Sequence, residues 1–263
     1  MLVSTVTSSV TSSTWFNGLN ANPGSLMRLF CFPYAGGGSL IYRQWPKQLP
    51  PTIEVVRAQL PGREGRLKER PFTRVESLIT ELTEAIEPFL DKPFIFFGHS
   101  MGGLISFELT RRVQKEFGLL PAHLFISAYK APHLPDTLTG IYTLPEPEFI
   151  EEVRRLNGTP NDVLEHRELM RLVLPLIRSD FELCNTYKYV PGPPLYCPLT
   201  VFGGLEDKEA GKKDLEGWRQ HTTGPFMLHM LPGDHFFIDK SRHVLLQLIS
   251  RYLEFSCRKA VQL

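Results

Sequence analysis

Six short apolar runs recur along the chain: RLFCF (28–32), IEVVRAQL (53–60), FIFFG (94–98), HLFISA (123–128), LTVFGG (199–204) and FMLHML (226–231). They are nearly continuous rather than alternating, the pattern of strands in a parallel sheet covered on both faces. Helical spacing separates several of them. Leu78, Leu82, Ala85, Ile86 and Phe89 fall on one face, Leu104, Phe107, Glu108 and Arg111 begin a second segment, and HVLLQLISRYLEF (243–255) reads as a closing helix. Strands alternating with helices predict an α/β architecture with a mostly parallel sheet.

One stretch breaks the alternation. From Lys130 to Pro194 no strand pattern is found. EPEFIEEVRRLNG and DVLEHRELMRLVLPLIRSDFELCN read instead as helices, the second interrupted by Pro175, before a Tyr-rich exit at TYKYVPGPP. A strand-free stretch this long is expected to be an inserted helical subdomain (130–194), either a lid over a site or a layer packed rigidly on the sheet. Residues 1–25 are rich in Ser and Thr and carry no Lys or Arg, which argues against a signal or transit peptide and for a polar arm. Trp15 and Phe16 are expected to dock that arm on the body. Residues 26–263 are then one domain, within the size that a single α/β core supports.

Composition narrows the function classes. Lys and Arg number 29 against 28 Asp and Glu, a formal +1 over 263 residues, so no strong field recruits nucleic acid or an anionic membrane. No apolar run approaches the roughly 20 residues of a membrane span. A soluble, cytoplasmic protein is expected. Cys31, Cys184, Cys197 and Cys257 are scattered without metal-ligand spacing, so reduced thiols are the expectation, and neither metal nor cofactor is called for.

Gly98-His99-Ser100-Met101-Gly102 follows the FIFF run directly and leads into GLISFELTRRVQKEF. Strand, sharp turn and helix in that order make a nucleophile elbow, in which side chains flanking the serine would collide with strand or helix. Ser100 is therefore the candidate nucleophile, against the alternative of an ordinary structural turn. The Met101 N–H, at a helix N-terminus, is a candidate oxyanion donor. Of eight histidines, His235 fits the base: LPGDHFF puts it on a loop after the last strand and before the closing helix, whereas His99, His229 and His243 fall within elements and read as structural. The acid is expected after the preceding strand, where Glu206 and Asp207 follow Gly203-Gly204 and Asp214 lies farther on. Asp207 is preferred because an aspartate there can accept from the histidine Nδ1–H. Asp136, one strand earlier, is its rival, and Asp234 adjoins His235 too closely to bond it. The turn PYAGGG after the first run offers a second oxyanion donor, the Ala35 N–H. No G-K-[ST] or G-x-G-x-x-G pattern follows, which disfavours phosphate cradling.

Taken in order, RLFCFPYAGGGSLIYRQW, QLPGREGR, PFIFFGHSMGG, LNGTP, IRSDFELCNTYKY, FGGLED, WRQHTTGPF and LPGDHFF resemble the type II thioesterases that accompany polyketide and nonribosomal peptide synthetases, a family that also includes the medium-chain acyl-carrier hydrolases of fatty acid synthesis. The resemblance runs over nearly the whole chain from Trp15. It implies an α/β-hydrolase fold with helices on both faces of the sheet and a mobile helical lid. It also implies Ser100 as nucleophile, Asp207 as acid and His235 as base.

Two departures accompany it: Asp234 stands where the family usually shows Gly, and Lys208 follows the acid where Pro is common. A carboxylate at 234 would be expected to hold His235 more protonated and weaken it as a base. The implied reaction is hydrolysis of acyl thioesters on the phosphopantetheine arm of acyl or peptidyl carrier domains, by a monomer that binds neither nucleic acid nor membrane. Arg171, Arg178 and Lys188 are candidate docking residues for acidic carriers, against the alternative of solvated charges on helices. A medium-chain acyl-carrier hydrolase, a carboxylesterase or lipase, and a noncatalytic binding module are the other readings. The last requires a missing or misplaced triad member.

Overall fold

The computed structural model describes residues 13–135, 139–159 and 161–261. Among them, seven strands form one sheet: β1 (Phe16–Asn17), β2 (Met27–Phe32), β3 (Ile53–Ala58), β4 (Phe94–His99), β5 (His123–Ser127), β6 (Leu199–Gly204) and β7 (Phe226–Leu231). Their order is β1-β3-β2-β4-β5-β6-β7, parallel throughout except for β1, which runs antiparallel to β3. β2 to β7 coincide with the six apolar runs. β1 has no such signal, since two residues are too short to show a period. It pairs Phe16 with Ala58, and Trp15 beside it lies under the Arg66 guanidinium, 4.0 Å from the ring centroid.

Successive residues of the inner strands face opposite cores, which is why both parities are apolar. Phe30, Phe32, Phe96, Leu124 and Ile126 pack with Leu78, Leu82, Leu104 and Leu109 of α1 (Val75–Ile86) and α2 (Met101–Phe117). Leu29, Cys31, Ile95, Phe97 and Phe125 pack on the other face with Tyr42, Trp45, Leu245, Ile249 and Leu253, the last three from the closing helix (Arg242–Val261). The described cysteines, Cys31, Cys184 and Cys197, form no disulfide; the side chain of Cys257 lies outside the described residues.

Between β5 and β6 come α3 (Glu146–Leu156), α4 (Asn161–Leu164) and α5 (Arg167–Thr186). Ile141, Phe149, Val153, Leu164, Met170, Leu174 and Ile177 make a small cluster of their own, while Leu183, farther along α5, belongs to the main core. Contrary to the sequence expectation, Pro175 does not interrupt α5, which is continuous over twenty residues. Pro175 lies on the exposed face, so the carbonyl it leaves unbonded one turn earlier can turn to water instead of breaking the helix.

The sheet sets the location of a site by its topology. The connection after β2 runs toward β3 at one edge and the connection after β4 toward β5 at the other. A crevice therefore opens beyond the C-terminal ends of adjacent β2 and β4, where open α/β sheets bind ligands.

Candidate active site

Both sides of that crevice carry the segments the sequence singles out. β4 ends at His99, and Ser100 follows with φ 53 and ψ −120 before α2 begins at Met101. A non-glycine residue there costs about 1–3 kcal/mol. Neighbouring contacts hold it: Ser100 N–H donates to the Ser127 carbonyl at 2.7 Å, and Gly103 N–H donates to the Ser100 carbonyl at 2.7 Å. The two flanking glycines are steric necessities, since a Cβ on Gly98 would lie 1.8 Å from the Gly102 carbonyl oxygen, and one on Gly102 would lie 2.0 Å from that of Phe32.

Ser100 Oγ is 2.9 Å from His235 Nε2, and His235 Nδ1 is 2.9 Å from Asp207 Oδ2. A carboxylate only accepts, so Nδ1–H donates to Asp207 and Nε2 accepts from the serine hydroxyl. The Asp207 side chain has no exposed surface. Its second oxygen accepts from the N–H groups of Glu209 (2.8 Å) and Ala210 (3.2 Å), which fixes the carboxylate plane toward the imidazole.

His99 anchors the histidine loop from below. Its Nε2–H donates to the His235 carbonyl at 3.0 Å and its Nδ1 accepts from Ser127 Oγ at 2.8 Å. Burial, then the proximity of His235, pushes its pKa well below the usual histidine range, so the ring is neutral and its tautomer is set by these partners.

The other described candidates are not brought to this chain of bonds. Glu206 is exposed, Asp214 caps the helix α6 (Lys212–Glu216) by accepting from Gly211 N–H, and Asp136 lies outside the described residues. His229 bonds Tyr252, His123 bonds Thr200, His133 bonds His221, and His243 bonds Gln247.

Asp234, expected to act on His235, has its bonds to other groups, accepting from Lys240 Nζ (2.9 Å), Asn157 Nδ2 (3.2 Å) and Phe236 N–H (3.0 Å). Partial burial raises its pKa, but these three donors outweigh that and leave it below the usual carboxylate range. Arg178 also departs from expectation. It is not free for docking, because its Nη1 donates to the carbonyls of Tyr142 and Leu144 and its guanidinium covers the Phe149 ring at 4.1 Å. Arg171 and Lys188 are exposed.

The Ala35 and Met101 N–H groups have no acceptor among the described residues. Both border the same cleft as Ser100 and His235, a cavity of about 110 Å³. Tyr34, Val153, Leu156, Ile177, Phe181 and Phe236 line it, so its walls come from both the sheet loops and α3 and α5. Such a cleft can take an apolar chain at one end and present a serine hydroxyl, a histidine nitrogen and two backbone donors at the other.

Comparison with known proteins identifies the family. Residues 27–253 match the Thioesterase domain family. The gramicidin S biosynthesis protein GrsT of Aneurinibacillus migulanus is 42% identical over 239 residues, covering 91% of this chain and 93% of its own. The medium-chain S-acyl fatty acid synthase thioesterase of Rattus norvegicus is 33% identical over 249 residues, covering 91% and 93%. Among solved structures, the RedJ thioesterase from the prodiginine pathway of Streptomyces coelicolor superposes with a TM-score of 0.82 at 38% identity, covering 87% of this chain and 91% of that one. With a crevice of this geometry and a match across most of its length, the chain belongs to the thioesterase family and has the α/β-hydrolase fold.

Proposed function

We propose that this chain is a serine hydrolase acting on acyl thioesters held on the phosphopantetheine arm of acyl or peptidyl carrier domains, clearing or releasing acyl groups in polyketide or nonribosomal peptide synthesis. The observation that carries the reading is the unbroken series Asp207, His235, Ser100 at the mouth of an apolar cleft bordered by two unengaged backbone donors. The names of the relatives support the substrate class. GrsT is a gramicidin S biosynthesis protein, and BorB, 34% identical with a TM-score of 0.84, is a type II thioesterase from the borrelidin cluster.

The chemistry follows from the geometry. Ser100 Oγ attacks the thioester carbonyl carbon while its proton passes to His235 Nε2, and Asp207 stabilises the imidazolium so formed. The carbonyl oxygen becomes an oxyanion held by the Ala35 and Met101 N–H groups, the latter at the positive end of α2. The C–S bond breaks and the pantetheine sulfur leaves with the proton from His235. Water then loses its proton to His235 and attacks the acyl-serine, and return of that proton to Ser100 Oγ releases the carboxylate. A thiol leaves more readily than an alcohol, so this site asks less of its acid than an ester would.

In this reading residues 26–263 are the catalytic domain, the arm before it adds strand β1 to the same sheet, and the enzyme acts as a monomer. Residues 130–194 are its lid, with Arg171 and Lys188 left to meet an acidic carrier. The test is intact-mass analysis of carrier proteins loaded with acetyl, hexanoyl and longer acyl groups, incubated with the protein and with Ser100→Ala. Loss of acyl mass with the wild type and none with Ser100→Ala is expected. Hydrolysis of short nitrophenyl esters with every carrier left loaded would move the substrate class to oxygen esters, and full release by Ser100→Ala would overturn the serine assignment.

A further inference from the structure

Beside the site lies a buried ion pair that the reaction does not explain. Arg63 lies in the QLPGREGR loop after β3, and Asp180 lies in the IRSDFELC segment of α5, 117 positions away. Their side chains are 5% and 2% exposed. They meet in a two-point ion pair, Nη2 to Oδ1 at 2.8 Å and Nη1 to Oδ2 at 3.0 Å.

The pair also grips the turn that carries Ala35. Asp180 Oδ2 accepts from the Gly36 N–H at 2.7 Å, and Arg63 Nη1 donates to the Gly37 carbonyl at 2.7 Å. Within the turn, Gly37 N–H donates to the Tyr34 carbonyl at 2.9 Å, and Gly36 has φ +76, a conformation suited to glycine. A Cβ on Gly36 would also lie 2.9 Å from the side chain of Ile177. Across a trans peptide the Ala35 N–H points opposite to the Tyr34 carbonyl. The direction of that N–H is thus set by the turn's own bond and by the two anchors on either side of Gly36 and Gly37.

We propose that Arg63 and Asp180 are positioning residues that hold the Ala35 N–H at the oxyanion. The inference rests on the function proposed above and extends it to two residues that touch no substrate atom. A buried ion pair is a poor way merely to fasten α5 to the β3 loop, because an apolar pair of similar volume does that as well or better. What an apolar pair cannot do is accept from Gly36 N–H and donate to Gly37 carbonyl. Preorganised donors matter because a donor that must reorient during reaction loses much of its benefit. Asp180 lies one turn beyond Pro175, so this half of α5 serves the oxyanion loop as well as the wall of the cleft.

The experiment compares wild type, Ser100→Ala, Asp180→Asn and the double variant Arg63→Met with Asp180→Leu, using the hexanoyl thioester of N-acetylcysteamine and inhibition by hexylboronic acid. The boronate forms a tetrahedral anionic adduct on a serine. The double variant leaves no lone buried charge and is expected to melt cooperatively. Its kcat should fall 10- to 100-fold with KM within twofold, and the boronate inhibition constant should rise by the factor that kcat/KM loses. Asp180→Asn, which keeps an acceptor but not the charge, should lose 3- to 10-fold in kcat. A folded double variant with kcat within twofold of wild type overturns the proposal, as does a loss of kcat with boronate affinity unchanged. Should the double variant fail to melt cooperatively, Asp180→Asn decides by the same two readings. Full hydrolysis by Ser100→Ala would overturn the underlying function and this inference together, whereas an inactive Ser100→Ala beside fully active pair variants overturns this inference alone.

Discussion

The elbow at residues 98–103 and the helical segment at 141–186 meet at one cleft but are built differently. The elbow is fixed by main chain. Gly98 and Gly102 have backbone oxygens where a Cβ would go, Ser100 is in a strained conformation, and the strand behind it is wholly buried. The helical segment is fixed by side chains: a seven-residue apolar cluster, the Arg178 clamp on two carbonyls, and exposed pairs such as Arg155 with Glu152 and Glu209. Backbone sterics cannot be exchanged without losing the turn, whereas side-chain contacts can be re-sized one at a time. The reacting atoms are thus held by the part that tolerates nothing, and the chain-binding walls by the part that tolerates change.

Substitutions on the two sides should separate these roles. Gly98→Ala should have the largest effect, because its Cβ meets backbone that cannot rotate away. Loss of soluble protein, or of more than about 4 kcal/mol of stability, is expected in a urea melt, and near-normal stability would break the comparison. Asp207→Asn keeps volume but removes the charge, and with its one oxygen held by the Glu209 and Ala210 N–H groups it turns an NH2 donor toward His235 Nδ1, which favours the wrong tautomer. It should lower kcat about 10²- to 10⁴-fold with little change in melting temperature. A kcat within threefold of wild type would return the acid to Asp136.

Acid should weaken the sheet before the helical segment. Burial lowers the pKa of His123 to about 4, burial and then nearby His133 and Arg111 lower that of His221 to about 4, and His99 is lowered as well. The unfolded chain binds protons near pH 6.5 while His123 and His221 in the folded chain refuse them until about 4, so stability is full above pH 6.5 and falls as pH drops through that window. In the helical segment the described histidine, His166, is exposed. Urea midpoints at pH 7.5, 6 and 5 should decline with falling pH, and a flat series would mean these rings are not held neutral.

A smaller effect is expected at the wall. Phe181 lines the cleft and meets Phe149 edge-on, 5.8 Å between centroids. Phe181→Ala should shift the ratio of long- to short-chain kcat/KM by about tenfold toward longer acyl groups, the scale of a few methylene contacts, with kcat on acetyl thioester nearly unchanged.

The same contrast governs what could be read from the sequence. The elbow is local: apolar run, Gly-x-Ser-x-Gly and helix sit within twenty residues, so Ser100 and Met101 were legible, and the strand order of α/β chains led to Asp207 and His235. Six strands were legible because their runs are nearly continuous in apolar residues, although in the edge strand β7 most of those residues are only partly covered. β1 was not, having no period to show. Nor was the continuity of α5, since a pattern does not tell which side of the helix Pro175 takes. For the same reason Arg178 read as a docking residue until the fold turned it inward. Arg63 and Asp180 are farthest from legibility, because their partnership depends on a loop and a helix meeting at a second loop.

Asp234 brings both regions to one side chain and should give the smallest effect. It adjoins His235 in sequence, and a carboxylate there would be expected to change the base. Its oxygens are instead committed to Lys240, to the Phe236 N–H and to Asn157 at the end of α3, with the salt bridge to Lys240 largely exposed and therefore weak. Asp234→Ala should leave kcat within threefold and the pH–rate profile in place, because the His235 carbonyl remains anchored by His99 and its ring by Asp207. What it releases is the link between α3 and the histidine loop. Limited proteolysis at 157–159 should therefore quicken while hydrolysis continues. A shifted pH profile would mean that the carboxylate acts on the histidine after all, and that the helical segment reaches the reacting atoms through it.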